Sequence, residues 1–280
     1  MNLFICGDLH GKITSVEDFY YNCIKGTPAE DEENWLICLG DFGANYYFDQ
    51  RDVDFKRELC KYPFNYFVIR GNHEQRASDV AFLEAYNDWE VVEIFDNDCL
   101  RQTDYPKIYY ANDAGGIYEI AGRKTLVIPG AYSVDKYFRL RQGWSWFAEE
   151  QLTPKEMAAL ETIAAGQHFD LVLSHTCPYK YRPTDLFLNM IDQSTVDSSM
   201  ELWMDQLTEK IDWNVWCWGH YHADRIEAPH CEIFLHEIEN LEDVEARWKR
   251  YDETGELDWW IPKSPYFYMY TKYQKEKEEK

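Results

Sequence analysis

Short apolar segments, each followed by a glycine or a polar residue, recur along the chain and predict buried β-strands. They cover residues 3–6, 35–39, 66–69, 125–128, 171–173 and 215–218. Strands buried on both faces show continuous apolar runs of this kind, whereas strands with one wet face alternate apolar and polar residues. We therefore expect these segments to lie inside the protein.

Segments with apolar residues three to four positions apart lie between several of these strands and predict helices. They cover residues 15–24, 53–60, 76–86, 154–165 and 197–207, with Thr153 as the N-cap of the fourth. Turn residues at 112–116 and at 122 predict an antiparallel meander over 105–128. Two more strands broken at Pro229 and a charged helix over 241–251 should follow. The pattern is that of an α/β protein (α+β by some schemes) with a mixed sheet.

Composition supports a globular chain and limits its partners. The 280 residues are 45% hydrophobic and 17% aromatic, which is enough apolar surface to offset the entropy lost on folding. We expect a single domain over 1–270 and a frayed charged tail at 271–280. With 28 basic and 51 acidic residues, the net charge of −23 argues against non-specific binding to nucleic acid or to anionic membranes. The oligomeric state is left open.

The eight cysteines are scattered and contain no CxxC pair. Several lie in apolar strand-like segments, where a free thiol behaves as a small hydrophobic group. Reduced thiols in a cytoplasmic protein explain this usage better than disulfides. No apolar run reaches the length of about 18 residues that a membrane span needs.

Potential metal ligands follow the predicted strands at the points where these end. The residues are Asp8, His10, Asp41, Asn72, His73, His175, His220 and His222. Sites of open α/β sheets are built from loops at the carboxyl ends of strands, so these side chains should converge. Residues two apart in an extended segment point the same way, so each Asp-x-His or His-x-His pair can serve one site.

The mixture of carboxylate, imidazole and amide oxygen suits manganese, iron or zinc, and the lack of thiolates argues against a structural zinc site. Seven candidate ligands remain when His73 is set aside. Seven are too many for one ion with an open position, but two ions sharing Asp41 would have four each. Two dications against two carboxylates leave a local charge of about +2, which attracts a phosphoryl group.

These motifs resemble the complete set of calcineurin-like metallophosphoesterases. The matching segments are Gly7-Asp8-Leu9-His10-Gly11, Gly40-Asp41, Gly71-Asn72-His73-Glu74, His175 and Gly219-His220-Tyr221-His222. Residues 130–136, Arg139, 144–150 and 174–178 further resemble a bacterial and phage branch. The resemblance implies a four-layer αββα sandwich, in which two mixed β-sheets lie face to face with helices outside.

The resemblance also implies roles for the ligands. Asp8, His10, Asp41 and His222 would hold one metal, and Asp41, Asn72, His175 and His220 would hold the other. His73 would lie outside the metal ligands as a general acid for the leaving oxygen. A hydroxide bridging two divalent ions, with manganese favoured in vitro, would attack phosphorus in line.

One departure from the family leaves the substrate class open. Protein Ser/Thr phosphatases carry Asp and Arg three and four residues after the bridging Asp, where this chain has Ala44 and Asn45. Residues 69–74 match those phosphatases, while the second histidine of 219–222 matches phosphodiesterases and nucleases better. A phosphomonoesterase is favoured. The alternatives are a phosphodiesterase acting on cyclic nucleotides or nucleic acid, and a non-catalytic metal-dependent protein that binds or senses phosphate.

A protein cation for the phosphate would come from Arg139, Arg70, Lys136 or Arg182, with Arg139 first because it lies in the branch-specific segment. A surface salt bridge explains Arg139 equally well. Tyr132 is a further candidate for a substrate contact. The tryptophans at 213, 216 and 218 could stack on a nucleobase, but we expect them to fill the core.

Overall fold

A computed structural model describes residues 1–84, 87–188 and 191–256 of the chain. The end of the predicted domain near 270, the charged tail at 271–280 and the last two residues of the predicted helix over 76–86 lie outside the described residues.

The strands of the described residues form two mixed sheets. They are β1 (Asn2–Cys6), β2 (Asn34–Cys38), β3 (Asn65–Val68), β4 (Trp89–Ile94), β5 (Asn97–Gln102), β6 (Ile108–Tyr110), β7 (Gly116–Ile120), β8 (Arg123–Ile128), β9 (His168–Ser174), β10 (Asp212–Trp218), β11 (Arg225–Ala228), β12 (Cys231–Ile233) and β13 (Glu239–Asn240). The first sheet has the order β13-β1-β2-β3-β6-β5-β4, and the second has the order β11-β12-β10-β9-β8-β7. Parallel strands form the centre of each sheet, and antiparallel strands lie at its edges.

The helices of the described residues lie mostly where the apolar spacing predicts them. They are α1 (Thr14–Phe19), α2 (Gln50–Leu59), α3 (Ala77–Leu83), α4 (Lys136–Gln142), α5 (Pro154–Ala164), α6 (Ser199–Thr208) and α7 (Leu241–Thr254). A π-helical segment, Tyr20–Ile24, continues α1. Thr153 caps α5 through a capping box with Glu156, as its position in the sequence predicts.

Three hydrophobic cores separate four layers. Phe4 and Cys6 of β1 face a core shared with α1, α2 and α3, while Leu3 and Ile5 face the core between the two sheets. On the far side, Trp216 packs with residues of α5 and α6. Both faces of the central strands are therefore covered, which explains their continuous apolar runs. The predicted four-layer sandwich is confirmed.

The prediction of one meander over 105–128 is wrong. β6 pairs in parallel with β3 in the first sheet, and only β7 and β8 form an antiparallel hairpin in the second. All three residues of β6 are buried, so this strand belongs in a sheet interior and not in an exposed ribbon. The chain crosses from one sheet to the other between Tyr110 and Gly116. The β4-β5 hairpin and α4 were not predicted.

Within the described residues, no helix combines the length and the apolar character needed to cross a bilayer. All eight cysteines lie in the described part of the chain and are free thiols.

A charged bridge joins the segment after β3 to α5. Arg76 Nη1 and Nη2 contact Glu156 Oε1 and Oε2 at 2.5 and 3.1 Å, and Arg76 Nη2 also donates to the carbonyl oxygen of Gln151. Burial alone would raise the pKa of Glu156, but hydrogen bonds from Arg76 and Thr153 lower it to about 2. The bridge thus holds the segment that carries Asn72 and His73 against the second sheet's helices.

We expect Glu156→Gln to destabilise the protein by about 1–2 kcal/mol at pH 7, because glutamine keeps the capping box but loses the charge. The folded-state pKa of Glu156 is depressed below its ordinary value of 4.5. Its stabilisation is therefore fully present above pH 4.5 and disappears as the pH falls toward 2. Urea unfolding at pH 7 and pH 3 measures the difference, which should be smaller at pH 3.

The matched control is Glu58→Gln, which removes an exposed pair with Lys61 and should change the unfolding free energy by less than about 0.5 kcal/mol. An equal loss for Glu156→Gln at both pH values would contradict the electrostatic explanation.

Candidate metal centre

The predicted ligands lie in loops at one edge of the two facing sheets. Asp8 and His10 follow β1, Asp41 follows β2, Asn72 follows β3, His175 follows β9, and His220 and His222 follow β10. Backbone hydrogen bonds join neighbouring loops, since His10 N donates to the Asp41 carbonyl oxygen at 2.7 Å and Gly219 N to that of His175 at 3.1 Å. The fold brings together side chains that are more than two hundred residues apart.

Four of these residues have left-handed backbone conformations. The φ angles are 49° at His10, 44° at Asp41, 67° at His220 and 52° at His222. A positive φ is uncommon outside glycine, and such strain accumulates at functional sites. The loops are held in conformations that most residues other than glycine avoid, although Asp and His adopt them more readily than other residue types.

One group of acceptor atoms comes from Asp8, His10, Asp41 and His222. One nitrogen or carboxylate oxygen from each residue lies within 4.8 Å of the others. Nε2 of His10 and Nε2 of His222 face each other at 3.0 Å. The Asp8 carboxylate is held in place by the backbone N–H of His220, at 3.0 and 3.2 Å from its two oxygens.

A second group lies beside it and shares Asp41. His175 Nε2 is 2.9 Å from Asn72 Oδ1 and 3.4 Å from Asp41 Oδ1. His175 Nδ1 donates to the Leu39 carbonyl oxygen at 2.7 Å, so Nε2 carries the lone pair. Asn72 Nδ2 donates to Ser133 Oγ at 2.9 Å, which turns its oxygen toward His175. The His220 ring lies 5.0 Å from the His175 ring, centre to centre.

The oxygen and nitrogen atoms of these two groups are suitable ligands for divalent cations. The Nε2 atom of His175 and the Oδ1 atom of Asn72 are both acceptors, yet they face each other at hydrogen-bond distance. These two acceptors, both nearly inaccessible to water, lose solvation without gaining a donor from each other. A cation bound between them would satisfy them, and oxygen and imidazole ligands suit manganese, iron or zinc.

The pKa values reflect the same crowding. Burial, and then the nearby Asp41 carboxylate, raise the pKa of Asp8 well above its ordinary value. Burial lowers the pKa of His10 to about 4. Burial would also raise the pKa of Asp41, but His73, His175 and His10 more than offset this and lower it.

His73 lies beside both groups of acceptors. Its backbone N–H donates to Asp41 Oδ1 at 2.7 Å, and its ring centre is 5.1 Å from that of His10. The Tyr46 ring stacks on it with centres 6.2 Å apart and planes inclined by 23°. His73 thus lies at the edge of the candidate metal centre, in contact with residues of both acceptor groups.

Arg139 of α4 contacts both ring nitrogens of His73 through its Nη2 atom. Its Nε donates to both oxygens of Asp135 at 2.9 and 2.8 Å, and its Nη1 donates to the Ser145 carbonyl oxygen at 3.3 Å. Only 2% of the side chain is exposed. The Arg139 guanidinium is therefore buried next to the candidate ligands. Ala44 occupies the position at which Ser/Thr phosphatases have Asp, and its side chain is buried in the hydrophobic core.

Three of the other predicted substrate contacts, Arg70, Lys136 and Arg182, interact with other groups of the protein. Arg70 donates to the Glu150 carbonyl oxygen at 2.8 Å and pairs with Asp113 at 3.5 Å. Lys136 Nζ lies 3.9 Å from the centre of the Trp146 ring. Arg182 pairs with Glu201 at 3.2 Å, and Tyr132 is half-buried, so that burial raises its pKa.

Several residues that support the site carry no role in the sequence interpretation. They are Tyr46 against His73, Asp135 against Arg139, and Ser133 against Asn72. Glu74 accepts from the backbone N–H groups of Gly71 at 3.0 Å and Phe42 at 3.2 Å. The four-residue spacing of Asp135 and Arg139 on one helix is a signal that could have revealed their pairing.

The fold and the cluster of carboxylates and imidazoles at its strand ends define a metal-dependent hydrolase class. The calcineurin-like phosphoesterase family model matches residues 1–224. The chain belongs to the calcineurin-like phosphoesterase family, a family of metal-dependent phosphoester hydrolases.

Individual relatives are more distant. The chain is 33% identical over 73 residues to the serine/threonine-protein phosphatase SIT4 of Candida albicans, which is 26% of this chain and 23% of that protein. It therefore spans about a quarter of the curated relative that it matches. A solved structure of phosphopantetheinyl hydrolase (PptH) from Mycobacterium tuberculosis is 12% identical with a TM-score of 0.42, over 94% of each chain.

Gly40→Ala should disrupt the second group of acceptors. Gly40 has a φ of +99°, and an added Cβ would lie 2.0 Å from His175 Nδ1, so the imidazole must leave the Leu39 carbonyl oxygen. Because such supporting contacts typically affect metal affinity about 10–100-fold, one of two bound ions should be weakened by at least about tenfold. Isothermal titration with Mn²⁺ measures this.

Gly122→Ala is the matched control, since Gly122 has a similar φ of +81° but open space around the added Cβ. It should lose about 1 kcal/mol of stability and keep both ions. Circular dichroism checks that both variants are folded, and equal metal binding by the two would contradict the assigned position of His175.

Proposed function

We propose that the protein is a dinuclear-metal phosphoester hydrolase that prefers phosphomonoesters. The observation that carries this proposal is the pair of acceptor groups sharing Asp41, with His73 and a buried arginine at their rim. When bound, the two ions supply Lewis-acid activation of water and of the phosphoryl group. Asp8, His10, Asp41 and His222 would hold one ion, and Asp41, Asn72, His175 and His220 the other.

The remaining steps belong to side chains of the protein. His73 donates a proton to the leaving oxygen, since its ring lies at the rim of the ligand groups and is not enclosed by them. Arg139 binds the phosphoryl oxygens that the metals do not hold. Asp135 and the Ser145 carbonyl oxygen fix the guanidinium before substrate arrives, which lowers the entropic cost of binding.

A monoester has three non-bridging oxygens that share two negative charges, one oxygen and one charge more than a diester, and this favours a site with a protein cation added to the metals. Arg139 is such a cation and is nearly fully buried. A diester carries one negative charge less, so it gains less from the guanidinium. His222, the second histidine of residues 219–222, matches phosphodiesterases better than Ser/Thr phosphatases. The experiment below therefore also tests hydrolysis of a diester.

We further propose manganese as an activating metal and the cytoplasm as the location. Oxygen and imidazole donors without thiolates support the first assignment. Eight free thiols support a reducing compartment. The proposed substrate is a phosphorylated compound, and the proposed domain includes the described residues and extends to about residue 270.

Asn72 and His73 are adjacent and should separate metal binding from turnover. Asn72→Ala should lose tight binding of one Mn²⁺ because the amide oxygen facing His175 is removed. His73→Ala should keep both ions but lose about 10²–10⁴-fold in kcat on p-nitrophenyl phosphate, the usual range for a general acid. Metal analysis and steady-state kinetics on the same samples provide both readouts. If wild type and His73→Ala both bind metal and phosphate but show no turnover, the hydrolase proposal is wrong and the alternative of a phosphate-sensing protein is supported.

Arg139→Met should raise KM for p-nitrophenyl phosphate by about 10–100-fold, because a hydrogen bond to a charged group contributes about 1.5–3 kcal/mol. The effect on bis-p-nitrophenyl phosphate should be smaller. Arg123→Met is the control: Arg123 is paired with Glu245 at the start of β8, away from the strand ends that carry the ligands. Faster hydrolysis of the bis ester by the wild type would contradict the monoester preference.

A further inference from the structure

Four aromatic side chains form a continuous surface beside His73. Tyr46 packs on Tyr47 with ring centres 4.6 Å apart and on Phe147 at 6.1 Å, and Phe48 packs on Phe147 at 6.1 Å. We refer to these four residues, Tyr46, Tyr47, Phe48 and Phe147, as the aromatic platform. Three of them come from the loop that follows Asp41.

The platform is held by a buried carboxylate. Asp52 of α2 is 4% exposed and accepts hydrogen bonds from the backbone N–H groups of Tyr46 at 3.1 Å, Tyr47 at 2.9 Å and Phe48 at 2.8 Å. Phe48 has a φ of +56°, which is costly for a bulky side chain. The loop is thus fixed in a strained form that carries three consecutive aromatic residues, as expected of a segment with a binding role.

The outer half of the platform is open to solvent. Tyr47 is 41% exposed and Phe48 is 55% exposed, while Phe147 beneath them is buried. Clustered exposed rings of this kind are typical of ligand or partner sites, whereas single exposed apolar residues are common everywhere. The Arg51 guanidinium lies on the Tyr47 ring, with its carbon 3.4 Å from the ring centre. The exposed parts of Tyr47 and Phe48 provide the remaining apolar contact area of the platform.

Tyr46, the platform residue nearest the candidate metal centre, lies beside His73 and Arg139, the two side chains that we propose to act on the phosphoester. The Tyr46 ring stacks on His73, and the Arg139 guanidinium carbon lies 5.8 Å from the centre of the same ring. His73 protonates the leaving oxygen and Arg139 holds the phosphoryl oxygens. The first atoms beyond the leaving oxygen must then lie against Tyr46.

We propose that the aromatic platform binds the leaving group, and that the substrates are phosphomonoesters with an aromatic ring within one or two bonds of the ester oxygen, as in a phosphotyrosine side chain. This inference rests on the proposed function. A ring so close to the ester oxygen stacks on Tyr46 next to His73, and the exposed rings of Tyr47 and Phe48 accommodate the groups attached to it.

Benzyl phosphate and cyclohexylmethyl phosphate provide a matched pair of substrates. Both release a primary alcohol, and their rings are of similar size, but only benzyl phosphate can stack. Because aromatic pairs add about 0.5–1.5 kcal/mol beyond area burial, kcat/KM with Mn²⁺ should be about two- to tenfold higher for benzyl phosphate. The pair avoids the large difference in leaving-group acidity between phenols and alkyl alcohols.

Variants of Tyr46 then assign the preference to the platform. Tyr46→Leu should bring the benzyl/cyclohexylmethyl ratio to about one, whatever happens to the absolute rate, and Tyr46→Phe should keep the wild-type ratio. Tyr21→Leu is the control: Tyr21 is an exposed tyrosine on the helical segment after α1, in contact with Tyr20 and Lys25. It should leave both rate and ratio unchanged.

The outcomes separate this inference from the function on which it rests. Hydrolysis of both esters at equal kcat/KM would overturn the aromatic preference and leave the hydrolase intact. Hydrolysis of neither, together with no turnover of p-nitrophenyl phosphate, would overturn both proposals. A ratio unchanged in Tyr46→Leu, or a higher kcat/KM for 3-phenylpropyl phosphate than for benzyl phosphate, would place the ring elsewhere and also overturn the proposal.

Discussion

The structure depends on the close approach of buried acceptor atoms that outnumber the donors around them: the His220 N–H serves Asp8 and the His73 N–H serves Asp41, but the acceptors still face one another. Asp8, Asp41, Asn72 and His175 are almost completely inaccessible to water, and their oxygens and nitrogens converge. In an apolar interior such an arrangement is costly, because each group gives up hydration and gains repulsion from its neighbours. Cations bound at this point would turn the same arrangement into a stable one. The rest of the fold can be understood as the support that holds these atoms together.

The two facing sheets provide this support. Parallel strands β1, β2 and β3 end side by side, and β9 and β10 end opposite them in the second sheet. Close contacts between the loops then require residues without a side chain at specific points. At Gly71, for example, a Cβ would lie 2.1 Å from Asp41 Oδ1, so any larger residue would displace the carboxylate shared by the two ligand groups. The hydrophobic cores fix the strands, and the strand ends fix the ligands.

The sequence places the candidate ligands at the strand ends better than it places the residues that support them. Asp8, Asp41 and His175 follow buried strands directly, so local pattern and strand order are enough to place them. Tyr46 could not be placed in this way, and the spacing of Asp135 and Arg139 indicates only their pairing, because the positions of all three relative to His73 depend on how a loop and α4 pack against other layers. The crossing of the chain between β6 and β7 was missed for the same reason: a three-residue buried strand has no periodicity that distinguishes one sheet from the other.

Charge distribution connects the acidic exterior with an anionic substrate. A net charge of −23 repels phosphate at long range, but this repulsion is screened by salt beyond about 8–10 Å. Within that distance the guanidinium of Arg139, together with cations held by the candidate ligands, would determine the local potential. Asp135 balances the arginine without removing its donors, since Arg139 uses Nε for this carboxylate and keeps Nη2 directed toward His73. The acidic surface therefore disfavours polyanions with many phosphates, which feel the whole exterior. A compact phosphomonoester, the substrate class that we propose, would be affected mainly by the potential of the candidate metal centre.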